Sequence, residues 1–271
     1  MAQGKVTYKG TSGGMGFDYD ALVDGNDAIR FWDDFLLPSF QTLANAADGS
    51  DTQIFNNWSY TQYDANSTFP VYTAAQEIAG GVLKFTSHTG DNDGILLFPG
   101  FSVNAPNAND VAMECRIAIN DIADSCLFFG LSETVADAGL VADGGAFTAA
   151  ANGADRVGIG FDTATNTGKF DLLSSLGTAG LGGTDVAQLA TEMDAGASGT
   201  LADDEYVRLG LSVRGGIASF YIDGVHVYTA PDTSTISDTA LYPCLLMSND
   251  TGAADIFYID YFGCSAAMNR S

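Results

Sequence analysis

Few side chains in this sequence have chemistry to offer, and they are scattered. Its 271 residues hold only two histidines, His88 and His226, and five glutamates, at 77, 114, 133, 192 and 205. Asp91-Asn92-Asp93-Gly94 gathers hard oxygen ligands of the kind Ca²⁺ takes. The same residue types are ordinary turn formers, and no glutamate follows at the EF-hand spacing. Trp58, Tyr60 and Tyr63, with Tyr72 behind them, have rings able to stack on sugar faces or to pack into a core; packing is the commoner use of large rings. Glu114 and Arg116, two apart on an alternating segment, share a face and read as a solvated charge pair. Lys5, Tyr8 and Lys9 lie in a Gly-rich opening and are candidates for contact with a partner protein.

Other catalytic sets find no match. There is no Gly-x-Ser-x-Gly elbow and no phosphate loop. Gly158-Ile159-Gly160 lacks the third glycine and the helix that a dinucleotide site requires. The cysteines, Cys115, Cys126, Cys244 and Cys264, form no C-x-x-C pair and sit among apolar strand residues, so they read as core thiols.

Charge narrows the field further. Ten Lys+Arg against 34 Asp+Glu give a net charge of −24. Nucleic-acid binding through the phosphate backbone needs cations in number, and anionic membranes attract the same groups. Neither partner suits this chain, whose acidity serves solubility. Residues 1–16 lack the apolar core of a signal peptide, and no apolar run approaches the roughly 20 residues of a membrane span. The expectation is a protein made in the cytoplasm of its producer.

The elements that must position these residues are strands. Val207, Leu209, Leu211 and Val213 alternate with polar residues up to Gly215-Gly216. Ala218, Phe220 and Ile222 continue the apolar face to Asp223-Gly224, a strong hairpin signal, and Val225 starts the return. Further strands are expected at 82–85, 95–98, 111–119, 126–131, 156–162, 169–173, 241–248 and 255–264. The all-apolar 126–131 suits a strand covered on both faces. On 255–264, plain alternation puts Ile256, Tyr258, Asp260 and Phe262 on one side and Phe257, Ile259 and Tyr261 on the other. Val186, Leu189, Ala190 and Met193 behind Thr184 or Asp185 predict one short helix. Residues 42–70 read as a polar loop punctuated by rings. The domain organisation is an extended arm, 1–25, followed by a single body, 26–271. About ten short strands, Gly-rich turns and at most one or two short helices predict an all-β fold of two antiparallel sheets packed face to face.

Asp33-Asp34-Phe35 in an aromatic opening, the hairpin Val207–Val213 and Ile217–Gly224, and the closing strand Ile256–Phe262 together resemble the concanavalin A-like lectin/glucanase superfamily, its laminin-G-like jelly rolls above all. The resemblance implies a jelly-roll sandwich over residues 26–265 and says little of function, because one sandwich hosts many. Retaining hydrolases of the group carry Glu-x-Asp-x-x-Glu on a strand, with two carboxyls about 5 Å apart. The nearest match, Glu192-Met193-Asp194-Ala195-Gly196-Ala197, has lost the last carboxylate and reads as a helix end. The expectation is therefore no enzyme. The first reading is a bacteriophage virion structural protein: a decoration, cement or surface module bound through its arm and a sheet face to the major capsid protein or another virion protein, as a homo-oligomer. The alternative is a lectin-like module for host attachment, with glycan on Trp58, Tyr60 and Tyr63 and, if any cofactor, Ca²⁺ at Asp91, Asn92 and Asp93.

Overall fold

A computed structural model describes residues 28–33, 51–55, 58–63, 73–74, 82–87, 94–103, 110–120, 125–133, 135, 156–162, 170–175, 206–229, 240–249 and 255–267. Fifteen strands lie among them, and no helix does. The arm 1–25, the helix expected behind Thr184, and Asp91, Asn92 and Asp93 fall outside the described residues, as do Lys5, Tyr8 and Lys9.

The strands form two antiparallel sheets. In chain order they are β1 (Ala28–Asp33), β2 (Asp51–Phe55), β3 (Trp58–Tyr63), β4 (Thr73–Ala74), β5 (Leu83–Thr86), β6 (Gly94–Pro99), β7 (Val111–Ile119), β8 (Ser125–Ser132), β9 (Arg156–Asp162), β10 (Phe170–Ser175), β11 (Val207–Arg214), β12 (Ile217–Ile222), β13 (Val225–Thr229), β14 (Tyr242–Asn249) and β15 (Ile256–Ala267). The eight-stranded sheet runs β13-β12-β11-β7-β15-β5-β4, with β1 also paired to β15; the seven-stranded sheet runs β10-β9-β8-β14-β6-β3-β2. The 12-residue β15 is shared along its length: Ile256–Ile259 pairs with β5, and Phe262–Ala267 pairs with β1.

Alternation builds the main core. Val207, Leu209, Leu211 and Val213 of β11, and Met113, Cys115, Ile117 and Ile119 of β7, face Leu127, Phe129 and Leu131 of β8 and Leu245 and Met247 of β14. Side chains two apart along each strand share that inner face, which is how a period of two becomes a sandwich. The turns are those their residues favour. Gly215 and Gly216 take φ of 53° and 82°, and Asp223 and Gly224 take 48° and 85°, the positive values a two-residue hairpin needs.

Within 42–70, which reads as a polar loop, residues 51–55 and 58–63 are strands. Asp51–Phe55 and Trp58–Tyr63 form a hairpin, β2 against β3, and β3 pairs with β6. The loop reading missed it because, among the described side chains of the hairpin, the apolar face is carried by Trp58 and Tyr60 alone. Trp58 is 4% exposed and Tyr60 is fully buried. The Trp58 ring packs edge-on against Phe31 and Phe262 of the opposite sheet, and its Nε1 donates to Asp33 Oδ2 at 2.8 Å.

The seven-stranded sheet is apolar on its outer face too. Leu96, Phe98, Cys126, Phe128, Cys244 and Leu246 form a second buried cluster, against which Val135 and Tyr242 pack. All eight residues of β8 are buried, as expected of a strand covered on both sides. The glycines of 156–162 are part of this packing. Gly158 faces Gly130 in register, and a Cβ added to it would come within 2.7 Å of the Phe128 ring and 2.5 Å of the Phe129 carbonyl. Gly158-Ile159-Gly160 makes room for a ring, not a phosphate.

Candidate functional site: the outward face of the eight-stranded sheet

The outer face of the seven-stranded sheet is apolar and buried, and polar groups collect on the outer face of the other sheet. Arg116 of β7 is directly opposite Tyr261 of β15 on one side and Arg208 of β11 on the other. Like charges facing each other across strands destabilise a sheet unless something compensates them. Here Arg116 forms an ion pair with Asp260 at 2.5 Å and lies over the Tyr206 ring, 4.4 Å from its centroid. Arg208 is tied to the β12–β13 turn. Its backbone N–H donates to Asp223 Oδ1 at 2.9 Å, and its guanidinium donates to the Asp223 carbonyl at 3.0 Å. The row thus reads Asp260 and Tyr261, Arg116, Arg208, Asp223 across three strands and the β12–β13 turn. Beyond it, Tyr221 meets the exposed His226 edge-on, and His226 Nε2 lies 2.8 Å from the Thr229 hydroxyl.

A β-bulge makes the row possible. The β15–β7 register shifts between Ile259 and Tyr261. One extra residue on β15 reverses the alternation beyond it. Phe257, Ile259 and then Phe262 and Cys264 all belong to the core, while Asp260 and Tyr261 both bond outward-facing partners of β7. This corrects the face assignment made from plain alternation, which put Phe262 with Asp260 and Tyr258. No local signal marks the bulge in DIFYIDYFGC; only the pairing with β7 reveals it.

Glu114 is the other correction. It does share a face with Arg116, but it is not a solvated partner to it. It is 7% exposed, flanked in register by Gly210 and Gly263, and it accepts a hydrogen bond from the Tyr261 hydroxyl. Burial pushes its carboxyl above the usual range, against the opposing pull of Tyr261 and of the Arg208 charge. Burial and the adjacent Glu114 raise the Tyr261 phenol far above its ordinary value. All four cysteines are buried, and burial raises the thiols of Cys115, Cys244 and Cys264 well out of the reactive range.

The residues expected to stack on sugar fare differently. Trp58 and Tyr60 face the core, so neither presents a ring face to a ligand. Tyr63 ends β3, and its side chain lies outside the described residues. Among the described residues no three His, Cys, Asp or Glu side chains group as a metal site.

No family model matches the chain, and no curated protein sequence does. Solved structures do. A protein of unknown function from Shewanella oneidensis matches with a TM-score of 0.53 at 14% identity over 93% of each chain. The lectin-like defense protein arcelin-5 of Phaseolus vulgaris gives 0.55 at 11% identity, over 90% of this chain and 100% of its own. Peanut lectin gives 0.53 at 10% identity, over 91% of this chain and 100% of its own. The fold is that of the concanavalin A-like lectins. At these identities the likeness speaks for the two-sheet architecture alone.

Proposed function

We propose that this chain is a non-enzymatic recognition module with a concanavalin A-like body, which binds carbohydrate and is displayed on the surface of a bacteriophage virion. The observation that carries the recognition reading is the outward row of the eight-stranded sheet. Planar charged side chains lie there beside tyrosines, and Arg116 and Arg208 are each held in place by a neighbour. Sites that bind neutral polar ligands use a few such convergent groups on a rigid scaffold. Peanut lectin and arcelin-5 carry the same two-sheet architecture. The non-enzymatic reading is supported by how the carboxyls are committed: Asp260 to Arg116, Asp223 to Arg208, and Glu114 to Tyr261 beneath the surface. Glycoside hydrolysis asks for two carboxyls facing one scissile bond.

A glycan array run with and without EDTA tests the reading. Binding to a defined set of glycans supports it, and loss of that binding in EDTA brings in Ca²⁺ at Asp91, Asn92 and Asp93. Silence across the array at high protein concentration ends it.

The virion location draws on the −24 charge and the Gly-rich first 25 residues, with Lys5, Tyr8 and Lys9 as contacts to a capsid protein. Its test is co-purification with particles. A chain that stays soluble and monomeric beside purified capsids is not a decoration protein, whatever it binds.

A further inference from the structure

The carbohydrate reading leaves open where on the sandwich a ligand sits. We propose that the Asp260–Arg116–Arg208–Asp223 row, with the Tyr206 ring beside it, is a binding strip for neutral carbohydrate, gripped through pairs of adjacent hydroxyls. The inference rests on the carbohydrate reading but adds a location, a set of contacts and a ligand charge.

Location follows from the contrast between the two outer faces. On the seven-stranded sheet that face is Leu96, Phe98, Cys126, Phe128, Cys244 and Leu246, all apolar and buried. On the eight-stranded sheet the Arg116 and Asp260 side chains retain 39% and 25% of their exposure, and Arg208 and Asp223 are half-buried. Strands are spaced about 4.8 Å apart, so the row from Tyr261 on β15 to Asp223 in the β12–β13 turn, three spacings, spans about 14 Å. That length accommodates a short oligosaccharide lying across the strands.

The contacts follow from donor and acceptor geometry. A guanidinium offers a fixed fork of N–H donors, and a carboxylate offers two acceptors in one plane; both match two neighbouring hydroxyls of a sugar ring. Arg116 uses one nitrogen on Asp260 and keeps others to offer. Its position is set beforehand by the ion pair and by the Tyr206 ring, which lowers the side-chain entropy lost on binding.

Ligand charge follows from the signs in the row. Two arginines balance Asp260 and Asp223 on a body of net charge −24. Long-range repulsion works against sulfated or uronic glycans, and no surplus of local cations offsets it. A neutral glycan matches two central donors flanked by two acceptors without either cost.

The test starts from the full-length chain and a neutral glycan taken from an array. The double variant Arg116→Met/Asp260→Asn removes both charges together, so no lone ion is left behind. It should weaken binding by roughly tenfold or more, the equivalent of losing one good contact. Val225→Thr, at an exposed position on β13, should bind as the parent does. Should the double variant not fold by circular dichroism, Arg116→Lys decides, because it keeps the charge and loses the fork; a several-fold loss is expected. A folded row variant that binds like the parent overturns the strip while the carbohydrate reading stands. A parent that binds only acidic glycans also overturns the strip alone, and a parent that binds no glycan overturns both. A dimer that the row variants dissociate assigns the face to a second copy of the chain, and overturns the strip as well.

Discussion

The Tyr261 hydroxyl donates to Glu114 Oε1 across the β7–β15 pair, in the middle of the eight-stranded sheet. Neither residue would reach the other without the bulge at Asp260. The bond gives a nearly buried carboxyl a side-chain donor, so its removal is costly. Tyr261→Phe should destabilise the fold by about 1–3 kcal/mol, the cost of taking a hydrogen bond from a buried acceptor. Chemical denaturation reads this directly; a midpoint unchanged with the same slope would contradict the pairing.

Glu114 itself makes the fold sensitive to pH. Its carboxyl is raised above the ordinary value chiefly by burial. The folded state therefore holds the Glu114 proton more tightly than the unfolded chain does. The associated stability is fully present below the unfolded value of 4.5 and is lost as pH rises through the higher folded value. Glu114→Gln keeps a neutral group in place. It should raise the melting temperature at neutral pH and flatten the dependence between acid and neutral pH. An equal shift at every pH would mean that burial does not govern this group.

Gly158 is held small by the Phe128 ring and the Phe129 carbonyl. Gly158→Ala should cost about 1–3 kcal/mol through overpacking, since backbone as well as a ring must move. Pairing it with Phe128→Leu should recover only part of the loss, because the carbonyl contact remains. Full recovery in the double variant, read by thermal melts, would place the whole clash on the ring.

The thiols give a prediction without mutagenesis. All four are buried, and burial holds Cys115, Cys244 and Cys264 in the unreactive protonated form. A soluble thiol reagent at mild alkaline pH should label none of them in the native protein and all four in denaturant. Rapid labelling of one thiol without denaturant would show a local opening of the sheet that holds it.

How much of this was legible depended on whether a residue's environment was local. The meander from Tyr206 to Tyr228 could be read because alternation and turn residues sit in adjacent sequence. Both turns adopt the positive φ their glycines implied. The double-sided burial of β8 was equally open, since a run such as CLFFGL has no polar side to offer water. Trp58 and Tyr60 were harder. A ring in a polar stretch suits a groove or a core equally, and only Asp33 and Phe262, distant in sequence, decide between them. The face of Phe262 and the partner of Glu114 were beyond reach. Both depend on one unpaired residue in β15, which the sequence carries without any glycine or proline to mark it.

The path of β15 sets a limit on when the molecule can assemble. Residues near position 30 wait for a partner more than two hundred places downstream, and β7 and β5 wait for the same segment. Until that segment leaves the ribosome, half of the sandwich has a gap where its central rung belongs, and sheet edges stand open that the finished protein closes. Closure of the eight-stranded sheet thus waits on β15, and crowding of nascent copies is the hazard it must survive.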